Sequence, residues 1–343
     1  PRLVVYGMLG IGKTHFLRHL GYRLRDIAKS IYIEIPPLHR RSRFMDVHSI
    51  IIKKIGLQYI KSLYINALKL TEAKRLGLIG ITEGKQSIGK TFEEFTSLRQ
   101  DIAELIRESI VDRSKWKPLA RYIAGEKLSA RDQRVLDVTF SRIAEDEAVN
   151  ILNSLGRLIK YFEDKMLILM FDEVENLKAL AGEGHRMFTE AIRSLVSEDS
   201  DVGAIFASTG RSIEEIPILK DETIYRRITS VNYLEFRQYD INELREFMFE
   251  LIEYLRDEKA DIIGTVKRAS QYTKEHIDTK SYPFTYEAME CILAEIEKRY
   301  RNGLIDALRP KELMEIADLA IAKALLDQKP VIDMATVKEA LTM

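Results

Sequence analysis

Cysteine is almost missing from this sequence, since Cys291 is the single one among 343 residues. No disulfide can form within the chain, which suits a reducing compartment. Long hydrophobic runs are missing too. The longest purely aliphatic or aromatic run, MLILMF at 166–171, is far below the ~18 residues that a membrane-spanning helix needs. No signal peptide is recognisable, and we therefore expect a cytoplasmic chain that does not enter a membrane.

An excess of either charge is also missing. Lys and Arg together number 53, Asp and Glu together number 53, and the formal net charge is zero. A strongly basic nucleic-acid-binding domain is therefore not visible in the whole chain, although a local patch for DNA remains compatible with this balance. Asn and Gln are sparse, at seven each, beside abundant Ile, Glu, Lys and Arg. Such a composition is typical of thermophilic proteins.

Clusters of metal-ligating residues are missing as well. His15 and His19 are four residues apart on a predicted helix, but no third ligand accompanies them. Zinc sites need three or four such ligands, so we expect no zinc.

Two stretches match the phosphate-binding pattern Gly-x-x-x-x-Gly-Lys-Ser/Thr, namely GMLGIGKT at 7–14 and GKQSIGKT at 84–91. The first follows a predicted strand, RLVVY, and precedes an apolar-faced helix and a second strand, SIYIEI. This strand–loop–helix–strand order lets backbone N–H groups and a helix N-terminus face a phosphate. We therefore assign phosphate binding to the first stretch.

The second stretch lacks a central glycine, and Glu93 and Glu94 follow it in the first turn of the next predicted helix. Two carboxylates there favour the helix dipole but repel phosphate. We predict a turn before a single amphipathic helix over 92–110, with Thr91 as N-cap and Glu94 completing a capping box.

Within the first stretch, Lys13 supplies a positive charge for the β- and γ-phosphates, and the Thr14 hydroxyl is a ligand for Mg²⁺. The predicted ligands are thus ATP or ADP with Mg²⁺. The residues expected to bind the nucleotide here are Gly7, Leu9, Gly10, Ile11, Gly12, Lys13, Thr14 and His15.

Hydrolysis needs a second group of residues, and KMLILMFDEVENL at 165–177 provides candidates. Its apolar run predicts a strand buried on both faces, as in a parallel sheet. The strand ends in Asp172 and Glu173, where open α/β sheets place their ligands. We predict that Asp172 holds Mg²⁺ through water and that Glu173 polarises the attacking water.

Two weaker signals follow. The predicted strand VGAIFAST at 202–209 ends in Ser208 and Thr209, and we choose Thr209, with Ser208 as the alternative, to reach the γ-phosphate or the water. The stretch RRITSVNYLEF indicates another strand at the edge of the sheet. Arg226 and Arg227 at its start are either arginine fingers toward a neighbouring subunit or surface arginines paired with nearby glutamates.

Taken in order, these motifs resemble the AAA+ ATPases. The Walker A motif is GMLGIGKT, the Walker B motif is MLILMFDE, ASTG is similar to sensor 1, and YRRI is similar to box VII. Residues 308–341 resemble the helical lid of the origin-recognition and initiator branch. At the sensor 2 position the order is Arg309-Pro310-Lys311, so either Arg309 or Lys311 takes the nucleotide-sensing role that the resemblance implies.

The resemblance implies an α/β fold, a P-loop NTPase core with a parallel sheet, a large helical insertion and a C-terminal helical lid. About 160 residues separate Walker A from Walker B, more than this family usually has. We therefore expect the core at 1–46 and 151–240, the insertion at 47–150 and the lid at 241–343. The segment ARYIAGEKLSARDQRVLDV at 120–138 is similar to a subgroup of ATP-binding proteins found beside phage-defence systems of the BREX type.

Two functions are compatible with these residues. The first is an ATP-hydrolysing switch or motor that acts with DNA or a defence complex, which Glu173 favours. The second is a nucleotide-gated interaction scaffold with little turnover, which the long insertion and the neutral charge favour. The expected partner is a further copy of the chain or another protein. DNA is a candidate through HRRSR at 39–43 and through Tyr64, Trp116 and Tyr122, which lie among basic residues and either stack on bases or belong to the core.

Overall fold

A computed structural model describes residues 2–40, 42–76, 91–229, 232–256, 261–305 and 307–342. Its contacts divide the chain into two units. The first unit comprises 1–6 and 13–235, and the second comprises 7–12 and 236–343. The loop glycines therefore belong to the second unit, whereas Lys13 and Thr14 begin the first helix of the first unit.

A five-stranded sheet forms the centre of the first unit, in the order β2-β3-β4-β1-β5. The strands are β1 (Arg2–Gly7), β2 (Ala28–Glu34), β3 (Met166–Asp172), β4 (Val202–Thr209) and β5 (Tyr233–Phe236). β3 runs parallel to both β2 and β4, and its register pairs Glu34 with Asp172. The carboxyl ends of β2 and β3 consequently lie side by side at one edge of the sheet.

Helices cover this sheet on the first unit. They are α1 (Lys13–Arg23), α2 (Phe44–Ile55), α3 (Leu57–Arg75), α4 (Phe92–Thr96), α5 (Gln100–Val111), α6 (Arg113–Ile123), α7 (Ala130–Leu136), α8 (Glu145–Glu163), α9 (Gly182–Leu195) and α10 (Glu222–Thr229). Short 3₁₀ turns span Val174–Ala179, Ile213–Glu215 and Pro217–Lys220. Buried side chains of α2 to α8 join those of the sheet in one continuous hydrophobic cluster, so these helices share the core of the first unit.

The second unit is helical, with a hydrophobic cluster of its own. Its helices are α11 (Ile241–Tyr254), α12 (Ile262–Ala269), α13 (Tyr286–Arg301), α14 (Pro310–Leu326) and α15 (Met334–Ala340). Asp240 caps α11 through a capping box with Glu243.

Two predicted elements were wrong in extent. The single helix expected over 92–110 is two helices, because Ser97 ends α4 in a left-handed conformation with φ 55°, which a continuous helix cannot accommodate. The strand expected from Arg226 is instead the end of α10, and β5 begins only at Tyr233. Most of the second phosphate-like stretch, 84–90, lies outside the described residues. Thr91 is the N-cap of α4, and its hydroxyl accepts the backbone N–H of Glu94 at 3.2 Å.

The aromatic residues considered for base stacking are core residues. Tyr64 is fully buried, and Trp116 and Tyr122 are only 7% and 6% exposed, so none of them presents a ring to a nucleic acid. In HRRSR, Ser42 is buried and bonds to the His39 ring at 2.6 Å. Within the described ranges, the structure contains no helix long and apolar enough to cross a bilayer.

Candidate functional site

The glycine-rich loop begins at a point where no side chain fits. A Cβ on Gly7 would lie 2.4 Å from the carbonyl oxygen of Phe236, so only glycine is compatible with this approach. Gly10 has φ +77°, and a Cβ there would lie 3.2 Å from Arg309 Cδ and 3.4 Å from Lys311 Cδ. Both basic side chains of the predicted sensor 2 segment thus pass beside the backbone of the loop, within the second unit.

On the first unit, α1 brings the next two loop residues to the end of β3. Lys13 is 7% exposed and Asp172 is 2% exposed. The Thr14 hydroxyl donates to Asp172 Oδ2 at 2.6 Å, although the two residues are 158 positions apart. The structure therefore brings together the hydroxyl and the carboxylate that the sequence assigns to Mg²⁺.

Asp172 has further hydrogen bonds. The Tyr32 hydroxyl, from β2, donates to the same oxygen, Oδ2, at 2.8 Å. The other oxygen, Oδ1, accepts the backbone N–H of Glu173 at 3.0 Å. A buried carboxylate with three donors is held in one orientation, because each lost bond would leave a buried polar atom unsatisfied.

Glu173 and Glu175 are two residues apart but have opposite pKa shifts. Burial and the charges of Glu175 and Asp172 raise the pKa of Glu173. Burial alone would also raise the pKa of Glu175, but hydrogen bonds from Thr209 outweigh it and the net pKa is lowered. Neighbouring carboxyls separated in this way are typical of acid–base sites, where the group with the raised pKa is the better proton acceptor.

The backbone at Glu173 is unusual for a residue with a side chain. Its φ of 58° and ψ of 39° lie in the left-handed region, which costs a non-glycine residue about 1–2 kcal/mol. Such strain persists where the surroundings determine it, and it is concentrated at functional sites.

The end of β4 is hydrogen-bonded to Glu175, which lies in the same acidic segment as Glu173. Glu175 Oε2 accepts the backbone N–H of Thr209 at 2.9 Å and the Ser208 hydroxyl at 3.3 Å. Ser208 is fully buried, whereas Thr209 is partly exposed. Of the two candidates, only Thr209 has a side chain that a ligand in solvent can reach.

The donor set fits Mg²⁺. This ion prefers oxygen ligands, and when it is bound to a nucleotide it takes one or two protein ligands and keeps several waters. The Thr14 hydroxyl and the Asp172 carboxylate supply two such oxygens, which are 2.6 Å apart. In the described part of the chain, no group of three or more His, Cys, Asp or Glu residues is placed to hold a metal ion.

Comparison with known proteins finds solved structures of similar fold but no matching sequence family. No family model matches the sequence, and no curated protein matches it. Among solved structures, the Aeropyrum pernix ORC2 protein in its ADPNP–ADP complexes is similar, with 13% identity and a TM-score of 0.50, over 99% of this chain and 61% of that one. The fold is that of the AAA+ P-loop proteins.

Two further solved structures are similar at lower scores. The ADP form of the same ORC2 protein has 14% identity and a TM-score of 0.46, over 99% of this chain and 62% of that one. The Aeropyrum pernix ORC1 protein in complex with DNA has 12% identity and a TM-score of 0.46, over 99% and 59%. The chain spans about three fifths of the length of these proteins.

The remaining predicted AAA+ residues lie as follows. Arg226, on α10, is 76% exposed and pairs with Glu222 at 2.5 Å. Arg227 donates to the carbonyl of Arg193 at 2.9 Å. Lys311 pairs with Glu315 at 3.5 Å. Leu9 and His15 are exposed, Ile11 is buried and Gly12 is intermediate.

Tyr32 and Glu175 are the residues that sequence reasoning missed. Tyr32 belongs to the predicted strand SIYIEI, but nothing in that stretch indicates which carboxylate its hydroxyl reaches. Glu175 stands two residues after Glu173 in DEVENL, and its role is visible only once β3 and β4 are known to be neighbours.

Proposed function

We propose that this chain binds ATP with Mg²⁺ at residues 7–14 and hydrolyses it. The observation that carries the proposal is the bond between the Thr14 hydroxyl and Asp172 at 2.6 Å, with Glu173 and its raised pKa directly after. The AAA+ fold supports it, and so does the similar ORC2 protein, whose structure is described as a complex with ADPNP and ADP.

Each side chain has a role in this proposal. Lys13 neutralises the β- and γ-phosphates, and Thr14 and Asp172 hold Mg²⁺, directly or through water. Bound Mg²⁺ would supply positive charge that stabilises the charge on the transferred phosphoryl group. Glu173 orients the attacking water and accepts its proton, and Thr209 positions that water or the γ-phosphate.

The basic residues complete the proposal. Arg309 or Lys311 senses the phosphates from the lid, since both pass beside Gly10. Arg226 or Arg227 acts on the site of a further copy of the chain. The ion pair of Arg226 with Glu222 does not oppose this, because a pair in which both side chains are 76% exposed contributes little and exchanges readily.

At the finer level, we propose a switch or motor that works with DNA or with a defence complex. The support is the initiator-like order of the motifs and the exposed Arg40 and Arg43 that remain of the basic run. A nucleotide-gated scaffold with little turnover is the alternative, and the structure offers no observation that favours it.

Steady-state ATPase assays with and without duplex DNA test the proposal. Wild type should turn over ATP in the presence of Mg²⁺, and Glu173→Gln should bind nucleotide but lose about 100-fold or more in kcat. Glu34→Gln is the matched control, because Glu34 pairs with Asp172 in the register of the sheet but has no assigned role. Nucleotide binding without turnover in wild type would favour the scaffold, and no binding at all would refute both functions.

Two measurements test the arginine proposal: the oligomeric mass with and without ATP, and the ATPase activity per chain as a function of protein concentration. If Arg226 or Arg227 acts in trans, ATPase per chain should rise with protein concentration, and Arg226→Ala or Arg227→Ala should abolish that rise. A chain that remains monomeric at all concentrations while hydrolysing ATP would remove this role.

A further inference from the structure

Tyr32 is a half-buried side chain on β2 whose hydroxyl reaches the central carboxylate of the site. Its oxygen lies 2.8 Å from Asp172 Oδ2, the oxygen that also accepts Thr14. A tyrosine hydroxyl keeps its proton throughout the neutral range, so it donates to the carboxylate.

Two cationic side chains lie over the ring of Tyr32. The Arg18 guanidinium, from α1, lies 5.1 Å from the ring centroid, and Lys54 Nζ, from the end of α2, lies 5.3 Å from it. Lys54 Nζ also donates to the Tyr32 carbonyl at 2.9 Å. Cations at these distances are attracted to the face of an aromatic ring, so helices α1 and α2 both restrain the ring that carries the hydroxyl.

We infer that Tyr32 is a positioning residue that fixes Asp172 for the binding of Mg²⁺. This inference rests on the proposed function. Of the two side-chain hydroxyls that donate to Asp172, that of Thr14 is itself an assigned metal ligand, whereas that of Tyr32 serves only the carboxylate. A partner that orients a metal-binding carboxylate typically contributes a factor of about 10–100 to metal affinity.

The first unit contains a matched control. Tyr59 is also half-buried, its hydroxyl donates to the Glu163 carboxylate at 2.5 Å, and Lys29 Nζ lies 3.6 Å from its ring centroid. Tyr59 therefore has the same kinds of partner as Tyr32, but its hydroxyl donates to Glu163 and not to Asp172. Tyr59→Phe removes an equivalent hydroxyl from a place with no assigned part in nucleotide binding.

The test is a titration with Mg²⁺ at a fixed concentration of a fluorescent ATP analogue, read as binding. Tyr32→Phe should raise the Mg²⁺ concentration at half-saturation about tenfold and reach the wild-type signal at excess Mg²⁺. Tyr59→Phe should superimpose on wild type. Arg18→Met, which keeps the hydroxyl but releases the ring, should give a smaller increase of about threefold.

Two outcomes would overturn the inference. One is a Tyr32→Phe curve that superimposes on wild type. The other is a loss that excess Mg²⁺ does not restore, accompanied by a lower thermal midpoint, since that would make Tyr32 a residue of stability alone. Failure of the proposed function is distinguishable, because wild type itself would then show no Mg²⁺-dependent nucleotide binding.

Discussion

Buried polar groups have different hydrogen-bond partners at the carboxyl edge of the sheet and in the helical layer of α2 to α8. At the sheet edge, Asp172 bonds to side chains from α1 and β2, and Glu175 bonds to the end of β4. In the helical layer, His48 is fully buried, and among the described residues its ring bonds to one group, the Ile123 carbonyl, at 2.8 Å. The buried Tyr64 hydroxyl makes no hydrogen bond of standard geometry among the described residues, and the buried Ser154 hydroxyl is the polar group beside it.

The buried polar groups of the sheet edge are linked to other elements by side-chain hydrogen bonds, whereas those of the helical layer are isolated. A change at the sheet edge alters several partners from distant parts of the sequence, and the effect should be seen in nucleotide chemistry. A change in the helical layer alters one desolvated group, and the effect should be seen in the free energy of unfolding. Four substitutions test this contrast.

The largest effect is expected for Asp172→Asn at the sheet edge. The amide keeps an acceptor oxygen for Thr14 and Tyr32 but loses the negative charge that Mg²⁺ requires. ATP turnover at saturating Mg²⁺ should fall about a thousandfold, as measured by phosphate release. Asp26→Asn, at an acid that is 87% exposed, is the control and should retain wild-type activity. Turnover of Asp172→Asn within tenfold of wild type would contradict the linked site.

The second-largest effect is expected at His48 in the helical layer, in the pH dependence of stability. Burial lowers the pKa of His48 from 6.5 to about 4, so between these two values the unfolded chain binds a proton that the folded chain does not. The contribution of His48 to stability is therefore complete above pH 6.5 and falls by about 3 kcal/mol as the pH is lowered toward 4. Carboxylates titrate in the same window, so the variant His48→Gln is needed for comparison.

His48→Gln keeps an amide donor for the Ile123 carbonyl but does not titrate. Denaturant unfolding at pH 7, 6 and 5 should show wild type losing free energy of unfolding faster than the variant as the pH falls. A difference between the two chains that stays constant with pH would contradict the assignment.

Comparison of the sequence with the structure shows which of these regions could be predicted. The bounds of β3 and β4 follow from uninterrupted apolar runs, and β4 agrees with the predicted 202–209. The order of Thr14, Asp172 and Glu173 along the chain also predicted their meeting, since a phosphate loop and the next acidic strand end share one sheet edge. The break at Ser97 and the left-handed Glu173 were not predictable, because the surrounding packing imposes these conformations on residues that seldom adopt them.

Hydrogen bonds that depend on which strands are neighbours could not be predicted from the sequence either. Glu175 reaches Thr209 only because β3 and β4 are adjacent and in register at Phe171 and Phe206. The packing of α2 to α8 against the sheet depends on the same information, because their buried side chains belong to one cluster with those of the strands.

A third, smaller effect is expected for Glu175→Gln. The negative charge of Glu175 raises the pKa of Glu173, so its removal should lower that pKa. The acid limb of the profile of kcat/KM against pH should then move to lower pH, by less than about one unit. Glu215→Gln is a suitable control, since Glu215 accepts a backbone N–H from Arg211 in a similar manner. A limb that does not move, or moves to higher pH, would contradict the coupling of these two acids.

The smallest effect is expected for Tyr64→Phe, in the helical layer. Among the described residues this hydroxyl makes no hydrogen bond of standard geometry, and Ser154 is the polar group beside it. Its removal relieves a desolvation cost and leaves the ring in place against Phe92. The free energy of unfolding should stay unchanged or rise by up to about 1 kcal/mol, with ATP turnover unaffected. Denaturant unfolding at pH 7 measures this, with Tyr59→Phe as the case that loses a bonded hydroxyl. A loss above about 1 kcal/mol for Tyr64→Phe would mean that its hydroxyl has a partner, and the helical layer would then resemble the sheet edge after all.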